Sequence, residues 1–202
     1  MNSELSDAIK TNQEAFGLEL TDEQIGRISD FYDLVLEHNP LLHLVGPCTP
    51  VEFGTRHILE SLTLLRQLPE KARIADVGVG GGLPSIPCLL VRDGLRVVLI
   101  ESKEKKAAFL TEAVAKLGLG TRASVVCRQY AEVDPADCEI MTCRALDKFA
   151  DKLPHLVRWS RRRKMLLFGG NNLADKLRSL KLHFDQQLMP MSEQRYLFTV
   201  TP

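Results

Sequence analysis

The segment that most constrains this chain is Ile74-Ala75-Asp76-Val77-Gly78-Val79-Gly80-Gly81-Gly82-Leu83-Pro84. An apolar, strand-like run passes into four glycines within five positions, and a helical stretch follows. Glycine there lets the backbone turn sharply and approach a ligand closely, and the helix start behind it offers free N–H groups. Two phosphate-binding fingerprints fail. G-x-G-x-x-G would need glycine where Leu83 stands, and no Gly-Lys-Ser/Thr follows the loop. What remains is D-x-G-x-G-x-G, with Asp76 two residues before the first glycine. An acid at that point repels a pyrophosphate and suits a ligand with a cationic or hydroxyl-rich part.

The surroundings of this loop read as an α/β protein. From residue 73, strand-like runs at Arg73–Val77, Arg96–Ile100, Ser124–Cys127, Glu139–Cys143 and Lys164–Phe168 alternate with helical stretches at Ile86–Val91, Lys103–Leu117 and Lys148–Trp159. That alternation predicts βαβ crossovers and a mostly parallel sheet of about seven strands. Two further runs, Leu182–Leu188 and Tyr196–Val200, predict a C-terminal antiparallel hairpin on the sheet edge. The first seventy residues read as helical. Thr21-Asp22-Glu23-Gln24 is a capping-box pattern, and Ile25, Ile28, Tyr32, Val35 and Leu36 recur with helical spacing until Pro40, where the helix should stop. A second helix fits Arg56 to Leu68, closed by Pro69. The expected organisation is an N-terminal helical cap over 1–70 and a ligand-binding sheet domain over 71–202, forming one compact unit.

Glu101 ends the second strand, just over twenty residues past the glycines. A carboxylate there can accept both hydroxyls of a ribose. Glycine loop plus strand-end acid describes a nucleoside pocket at the carboxyl ends of parallel strands. S-adenosylmethionine carries a ribose, an adenine, an ammonium and a sulfonium but no phosphate, so it fits Asp76 better than NAD does. A strand-end carboxylate serving a ligand in this way should add little to fold stability.

Composition removes several other classes. The 202 residues are 45% hydrophobic and 26% charged, an ordinary globular balance. No apolar run approaches a membrane span, and the first residues resemble no secretory signal. Cys48, Cys88, Cys127, Cys138 and Cys143 form neither a C-x-x-C pair nor zinc-ligand spacing, so reduced cysteines in a cytoplasmic protein without bound metal are expected. Lys plus Arg and Asp plus Glu both number 26, so any polyanion must be held by a local patch. The densest is Arg158-Trp159-Ser160-Arg161-Arg162-Arg163-Lys164, where Arg158, Arg161, Arg162, Arg163 and Lys164 are candidate RNA contacts and Trp159 reads as core. Lys103, Lys105 and Lys106 could extend this rim.

Four pieces in order resemble the family of small-subunit ribosomal RNA guanine-N7 methyltransferases, class I enzymes with a Rossmann-like fold. Arg56-His57-Ile58-Leu59-Glu60-Ser61 resembles its RHILDS helix, Asp76 to Pro87 its glycine loop, Glu101-Ser102 with Lys105 to Leu110 its DS..KR..FL segment, and Cys143-Arg144-Ala145 its SRA. The resemblance spans roughly residues 20 to 170. It implies that Asp76, Gly78, Gly80, Leu83, Glu101, Ala131, Glu132 and Arg144 surround S-adenosylmethionine, and that the acceptor is a guanine N7 in 16S ribosomal RNA or a small-subunit precursor. It raises His57 and Arg144 as candidates for a catalytic role, in an expected monomer. Guanine N7 bears no proton, which agrees with the lack of a general-base motif.

Departures fall on the substrate side. Ser85 stands where the family usually has glycine, and Phe168-Gly169-Gly170-Asn171-Asn172 replaces its usual Lys-Gly. Another RNA, a small molecule, or binding of S-adenosylmethionine without turnover are the alternative readings. Cys143 could in principle attack a pyrimidine, but Met141-Thr142 precedes it where such enzymes carry prolines. No N-P-P-Y-like loop follows the fourth strand, which disfavours adenine-N6 chemistry.

Overall fold

The computed structural model describes residues 2–135, 137–144 and 146–201. Its centre is a seven-stranded sheet of β1 (Ala72–Val77), β2 (Leu95–Ile100), β3 (Ala123–Val126), β4 (Ile140–Cys143), β5 (Lys164–Gly169), β6 (Phe184–Leu188) and β7 (Tyr196–Val200), in the order β3-β2-β1-β4-β5-β7-β6. β1 to β5 are parallel, and β7 pairs antiparallel with both β5 and β6. The expected hairpin is present, but β7 inserts between β5 and β6. Burial explains the order. Leu197 to Val200 are buried, whereas Asp185, Gln186 and Gln187 leave β6 polar enough for an edge.

Strand alternation divides the interior into two layers. Ile74, Val97, Leu99, Ile140, Leu166 and Phe168 face one side. There they join helices α1 (Ser3–Asn12), α2 (Asp22–Leu42), a helical rod α3 over 50–67, α4 (Ser85–Val91) and α5 (Glu104–Lys116). Ala75, Val77, Met141, Cys143, Met165, Leu167 and Phe198 face the other side, against α6 (Phe149–Trp159) and α7 (Asn171–Ser179). The helices before residue 70 therefore share one buried cluster with the sheet. Phe31 illustrates this: its side chain is fully buried and lies close behind Gly82 of the glycine loop.

Local signals place the helix ends, with three differences from expectation. The Thr21 capping box forms, since Thr21 Oγ1 accepts from Gln24 N and Gln24 Oε1 accepts from Thr21 N. That helix then runs through Pro40 to Leu42 and stops at His43 in the left-handed region. Proline is tolerated because the N–H it lacks would have met the carbonyl of Leu36, a half-exposed residue near the helix end. Second, α3 starts six residues before Arg56, because Thr49 and Glu52 form another capping box with Pro50 at the first helical position. Its middle, Phe53–Leu59, is a π-helix, a wide-turn form found frequently at functional sites. Third, α7, absent from the expected elements, follows β5 directly, with Gly170 in the capping position and Leu173, Ala174 and Leu177 on its buried face.

The chain leaves β1 toward β2 and β3 on one side and returns to β4 and β5 on the other. The switch between β1 and β4 opens a crevice at their carboxyl ends, the place where open α/β sheets bind ligands. The glycines after Val77 and Arg144 after Cys143 flank it.

Because helices and sheet share a core, Phe31→Ala should lower the unfolding free energy by about 3–5 kcal/mol. Helix and near-ultraviolet aromatic signals should still melt in one coincident transition. Two separated transitions in urea would show that the helical cap folds independently.

Candidate functional site

The glycine loop is held by its own neighbours. Gly78 N–H donates to Ile100 O (2.9 Å), Gly82 N–H to Val79 O (3.0 Å), and Gly80 N–H to the Glu101 carboxylate (3.0 Å). Gly78, Gly80 and Gly82 have φ of 70°, 56° and 90°, so the turn belongs to glycine. A Cβ at Gly82 would lie 2.5 Å from Ile86 Cδ1, and one at Gly78 would lie 3.0 Å from Leu146 Cδ1. With three of its N–H groups already bonded, the loop offers little of the phosphate cradle that a dinucleotide needs.

Glu101 is buried at the end of β2, and its other oxygen accepts from Lys103 N–H (2.8 Å). An ionised carboxylate has about four lone-pair positions, so roughly two remain for a ligand. These two backbone bonds correct the expectation that Glu101 adds little to the fold: it ties the loop after β1 to the start of α5.

A cavity of about 360 Å³ opens beside this carboxylate. Val77, Gly78, Gly80, Ile100, Glu101 and Tyr130 form part of its wall, with Lys103, Lys106, Arg128 and Lys152 supplying cations. Sequence reasoning missed Gln129 and Tyr130, which line this wall, and named Ala131 and Glu132, which are exposed and do not. The available signal was an aromatic residue just past β3. Trp159 packs edge-on against Tyr130 at 5.6 Å, and its indole N–H donates to Val133 O (2.7 Å), so Trp159 supports this wall.

Across the glycine loop lies a second chamber of about 290 Å³. His57, Leu83, Lys106 and Arg144 border it together with Gly78 and Gly80. Leu44 and Val45 roof it, and Lys106 Nζ donates to His43 O (3.0 Å), which ties this roof to α5. A third groove, of about 420 Å³, runs from Arg144 past Phe149 to Phe168, Gly170 and Asn172. It is bordered by the segment after β5 that departs from the family pattern.

Arg144 stands where the last two spaces meet. Its guanidinium donates to Ser61 Oγ (2.7 Å), His57 O (3.2 Å), Glu60 Oε2 (3.3 Å) and Arg56 O, and lies 5.5 Å from the Phe168 ring centre. Burial lowers its value to about 10, opposed by the Glu60 carboxylate. His57 is lowered to about 4, first by burial and then by Arg144 and Arg56. It is therefore neutral near pH 7, and its Nδ1 has no partner among the described residues. Ala145, the last residue of the fourth resembling motif, lies outside the described residues.

Asp76 borders none of these spaces. It lies on β1, paired with Leu99 and Thr142, and is fully buried. Neither of its oxygens meets a donor in good geometry among the described residues, and the nearby Ser85 hydroxyl is equally unpaired. Burial raises it to about 7, offset in part by the Ser85 hydroxyl and N–H. Cys143 is also fully buried, and burial raises its thiol well above the ordinary value, so it supplies no thiolate nucleophile.

The basic strip lies away from the crevice. Lys164 pairs with Ile140 at the amino ends of the strands, and Gly169 lies at the carboxyl end of β5. The strip is thus roughly 17 Å from the crevice along the strand direction. Arg163 donates to Cys138 O and Ser160 O, Lys164 to Gln67 O, Arg158 contacts His155, and Arg161 pairs with Asp134 at 3.1 Å. These contacts tie the strip to α3 and to the residues before β4. The cations beside the crevice include Lys103, Lys106, Arg128, Lys148 and Lys152.

Residues 24–193 match the family model described as GidB, rRNA small subunit methyltransferase G. The chain belongs to the rRNA small subunit methyltransferase G family. A Ribosomal RNA small subunit methyltransferase G from Sorangium cellulosum is 36% identical over 169 residues, which is 80% of this chain and 70% of that protein. One from Pelotomaculum thermopropionicum is 39% identical over 119 residues, 58% of this chain and half of that protein's length. Among solved structures, the Bacillus subtilis M1A22 tRNA methyltransferase aligns with a TM-score of 0.55 at 16% identity, covering 70% of this chain and 64% of its own. A Thermotoga maritima SAM-dependent O-methyltransferase aligns at 0.53 and 18%, covering 70% and 64%. Both are similar in fold, which is Rossmann-like.

Asp76 gives this family member a pH signature. Its folded value is raised above the unfolded one, so its contribution to stability is complete below about pH 4. That contribution is lost as pH rises toward about 7. Asp76→Asn removes this loss. The melting temperature of the variant minus that of the parent should become more positive between pH 5 and pH 8, with His57 cancelling because both proteins carry it. A difference independent of pH would show that the Asp76 carboxyl is not raised.

Proposed function

We propose that this chain transfers the methyl group of S-adenosylmethionine to N7 of a guanine in 16S ribosomal RNA or a small-subunit precursor, acting as a monomer in the cytoplasm. The observation that carries the reading is the Glu101 carboxylate, set at a strand end, bonded to the glycine loop and bordering a 360 Å³ cavity, in a member of this family. The residues fit the cofactor. Glu101 retains acceptor capacity for a ribose, Tyr130 offers an apolar ring for an adenine, and the loop, its N–H groups already bonded, has no requirement for phosphate. Among the described residues no helix is long and apolar enough to cross a membrane. Nor is there a group of three or more His, Cys, Asp or Glu that could hold a metal ion.

The cofactor, when bound, supplies the methyl group on a sulfonium. The chain's own residues then have a limited chemical task. N7 is already a lone pair, so no residue has to take a proton from it. A residue that gave it one would destroy the nucleophile. His57, held neutral by burial and flanking arginines, is a poor acid at neutral pH and satisfies that condition. Arg144, Leu83 and the glycine loop border the chamber between cofactor cavity and outer groove, and their work is to fix the relative position of the two reactants. Phe149, Phe168 and Asn172 offer the groove apolar surface and one amide for a base.

Two experiments test this reading. Calorimetry should detect S-adenosylmethionine and S-adenosylhomocysteine but not NAD. Glu101→Ala should weaken the sulfur nucleosides by roughly 30- to 150-fold, and should also lower stability by about 1–3 kcal/mol because Gly80 and Lys103 lose their acceptor. Binding of NAD alone, or unchanged affinity in the folded variant, would sink the assignment of this pocket.

The second experiment concerns RNA. Methylation of purified small subunits, followed by mapping of the modified base, should give 7-methylguanine. Reversing Lys103 and Lys148 to Glu should raise the KM for RNA and flatten its dependence on salt. Reversing Arg161 and Arg162 should leave both nearly unchanged, because those residues lie at the far end of the sheet. The opposite pattern would return the RNA surface to the basic strip.

A further inference from the structure

Glu60 is a charged residue buried far more deeply than a helix surface requires. Its side chain is 3% exposed, and each carboxylate oxygen meets a different arginine. Oε2 accepts from Arg144 (3.3 Å), and Oε1 accepts from Arg195 Nε (2.7 Å). The three residues come from distant parts of the chain: α3, the end of β4, and the loop that enters β7. Arg195 precedes Tyr196, which pairs with Gly169 at the carboxyl end of β5, so this loop crosses the same end of the sheet as the crevice.

Arg144 borders both the inner chamber and the outer groove, yet its four terminal N–H groups have acceptors within the protein: Ser61 Oγ, His57 O, Arg56 O and Glu60 Oε2. A long side chain with several rotatable bonds is held in one place by contacts from a single stretch, 56–61. Among those contacts only Glu60 carries charge. Arg195 occupies the second carboxylate oxygen and so limits its rotation.

We propose that Glu60 is a positioning residue that fixes the Arg144 guanidinium at the junction of the two chambers, with Arg195 as the clamp on Glu60. Catalysis by orientation is sensitive to shifts of about 1 Å, so a loosened Arg144 lowers turnover before it alters the fold. Aspartate stands here in the resembling family motif. The longer glutamate spans two arginines at once, which assigns the clamp to this chain's own pairing of Glu60 with Arg195. This rests on the proposed methyl transfer, and one arm of the test is independent of it.

The full chain is compared with Glu60→Asp, Glu60→Gln and the double variant Glu60→Gln/Arg195→Gln. Glu60→Gln leaves the largely enclosed Arg144 and the part-exposed Arg195 without a counter-charge and can fail to fold. The double variant restores the parent's balance of one excess positive charge, because one arginine remains and no carboxylate. Its melting temperature should therefore lie near that of the parent. It should nonetheless lose about tenfold or more in kcat, the scale of one lost charge-assisted hydrogen bond in the transition state, while cofactor affinity changes less. Glu60→Asp should recover a large part of the rate. Independently of activity, the Nη–H resonances of Arg144 should exchange slowly with water in the parent and faster in the double variant. Parent kcat together with slow Arg144 exchange in a folded double variant would reduce Glu60 to charge balance and overturn the proposal. A parent that methylates no RNA would count against the proposed function alone, because the exchange measurement still decides whether Glu60 holds Arg144.

Discussion

Gly80 and Glu101 are twenty-one residues apart, and the hydrogen bond between them ties together everything at the crevice. Parallel pairing brings Val77 opposite Ile100, so the chain leaves β1 and β2 at the same level. Gly78 then donates to Ile100 O, Gly80 to the Glu101 carboxylate, and Lys103 N–H to the same carboxylate. One side chain thus closes the turn after β1 and starts the helix after β2. It does so from the wall of the cavity, and the carboxylate that orders the loop is the same one that is left with capacity to accept from a ligand. A larger residue at Gly82 would meet Ile86, with Phe31 close behind, which moves the constraint from the loop into the helical layer.

Around that loop, low dielectric decides the charge states. Asp76 lies beneath the turn with no donor in good geometry, and its carboxyl rises to about 7. His57 is driven down to about 4 by the same burial and by two nearby arginines. Both groups thus move toward their neutral forms, as desolvation requires. Arg144 and Glu60 are paired with each other, and an isolated charge at that depth would be far more costly. The site combines a neutral imidazole, a fixed guanidinium and no lowered thiol. That is chemistry suited to orienting a nucleophile that needs no activation.

Strand direction places the basic strip at the far end of the sheet from the crevice. Five cations in seven residues read as a polyanion surface, but strand direction sets where they sit. Lys164 begins β5, so the strip lies at the amino ends, whereas the three spaces around the glycine loop and Arg144 open at the carboxyl ends. Arg163 and Lys164 donate to the carbonyls of Cys138, Ser160 and Gln67. Lys103 and Lys106 of the Lys103–Lys106 rim, with Arg128, Lys148 and Lys152, are beside the crevice.

Local rules written in the chain determined much of the outcome. Glycines with an acid before them, a strand-end Glu101, alternating strands and helices, and the Thr21 capping box each act through neighbours within a few residues or through one repeated spacing. These are what a linear pattern can carry. Tertiary structure alone decided which residues meet across long separations. Tyr130 rather than Ala131 lines the cavity because Trp159 supports it from another helix. β7 enters the sheet because its side chains, unlike those of β6, can be buried on both faces. Glu60 finds Arg144 and Arg195 only after α3, β4 and the final hairpin have packed together. Burial and pairing of that kind depend on distances between segments, and no spacing along the chain encodes them.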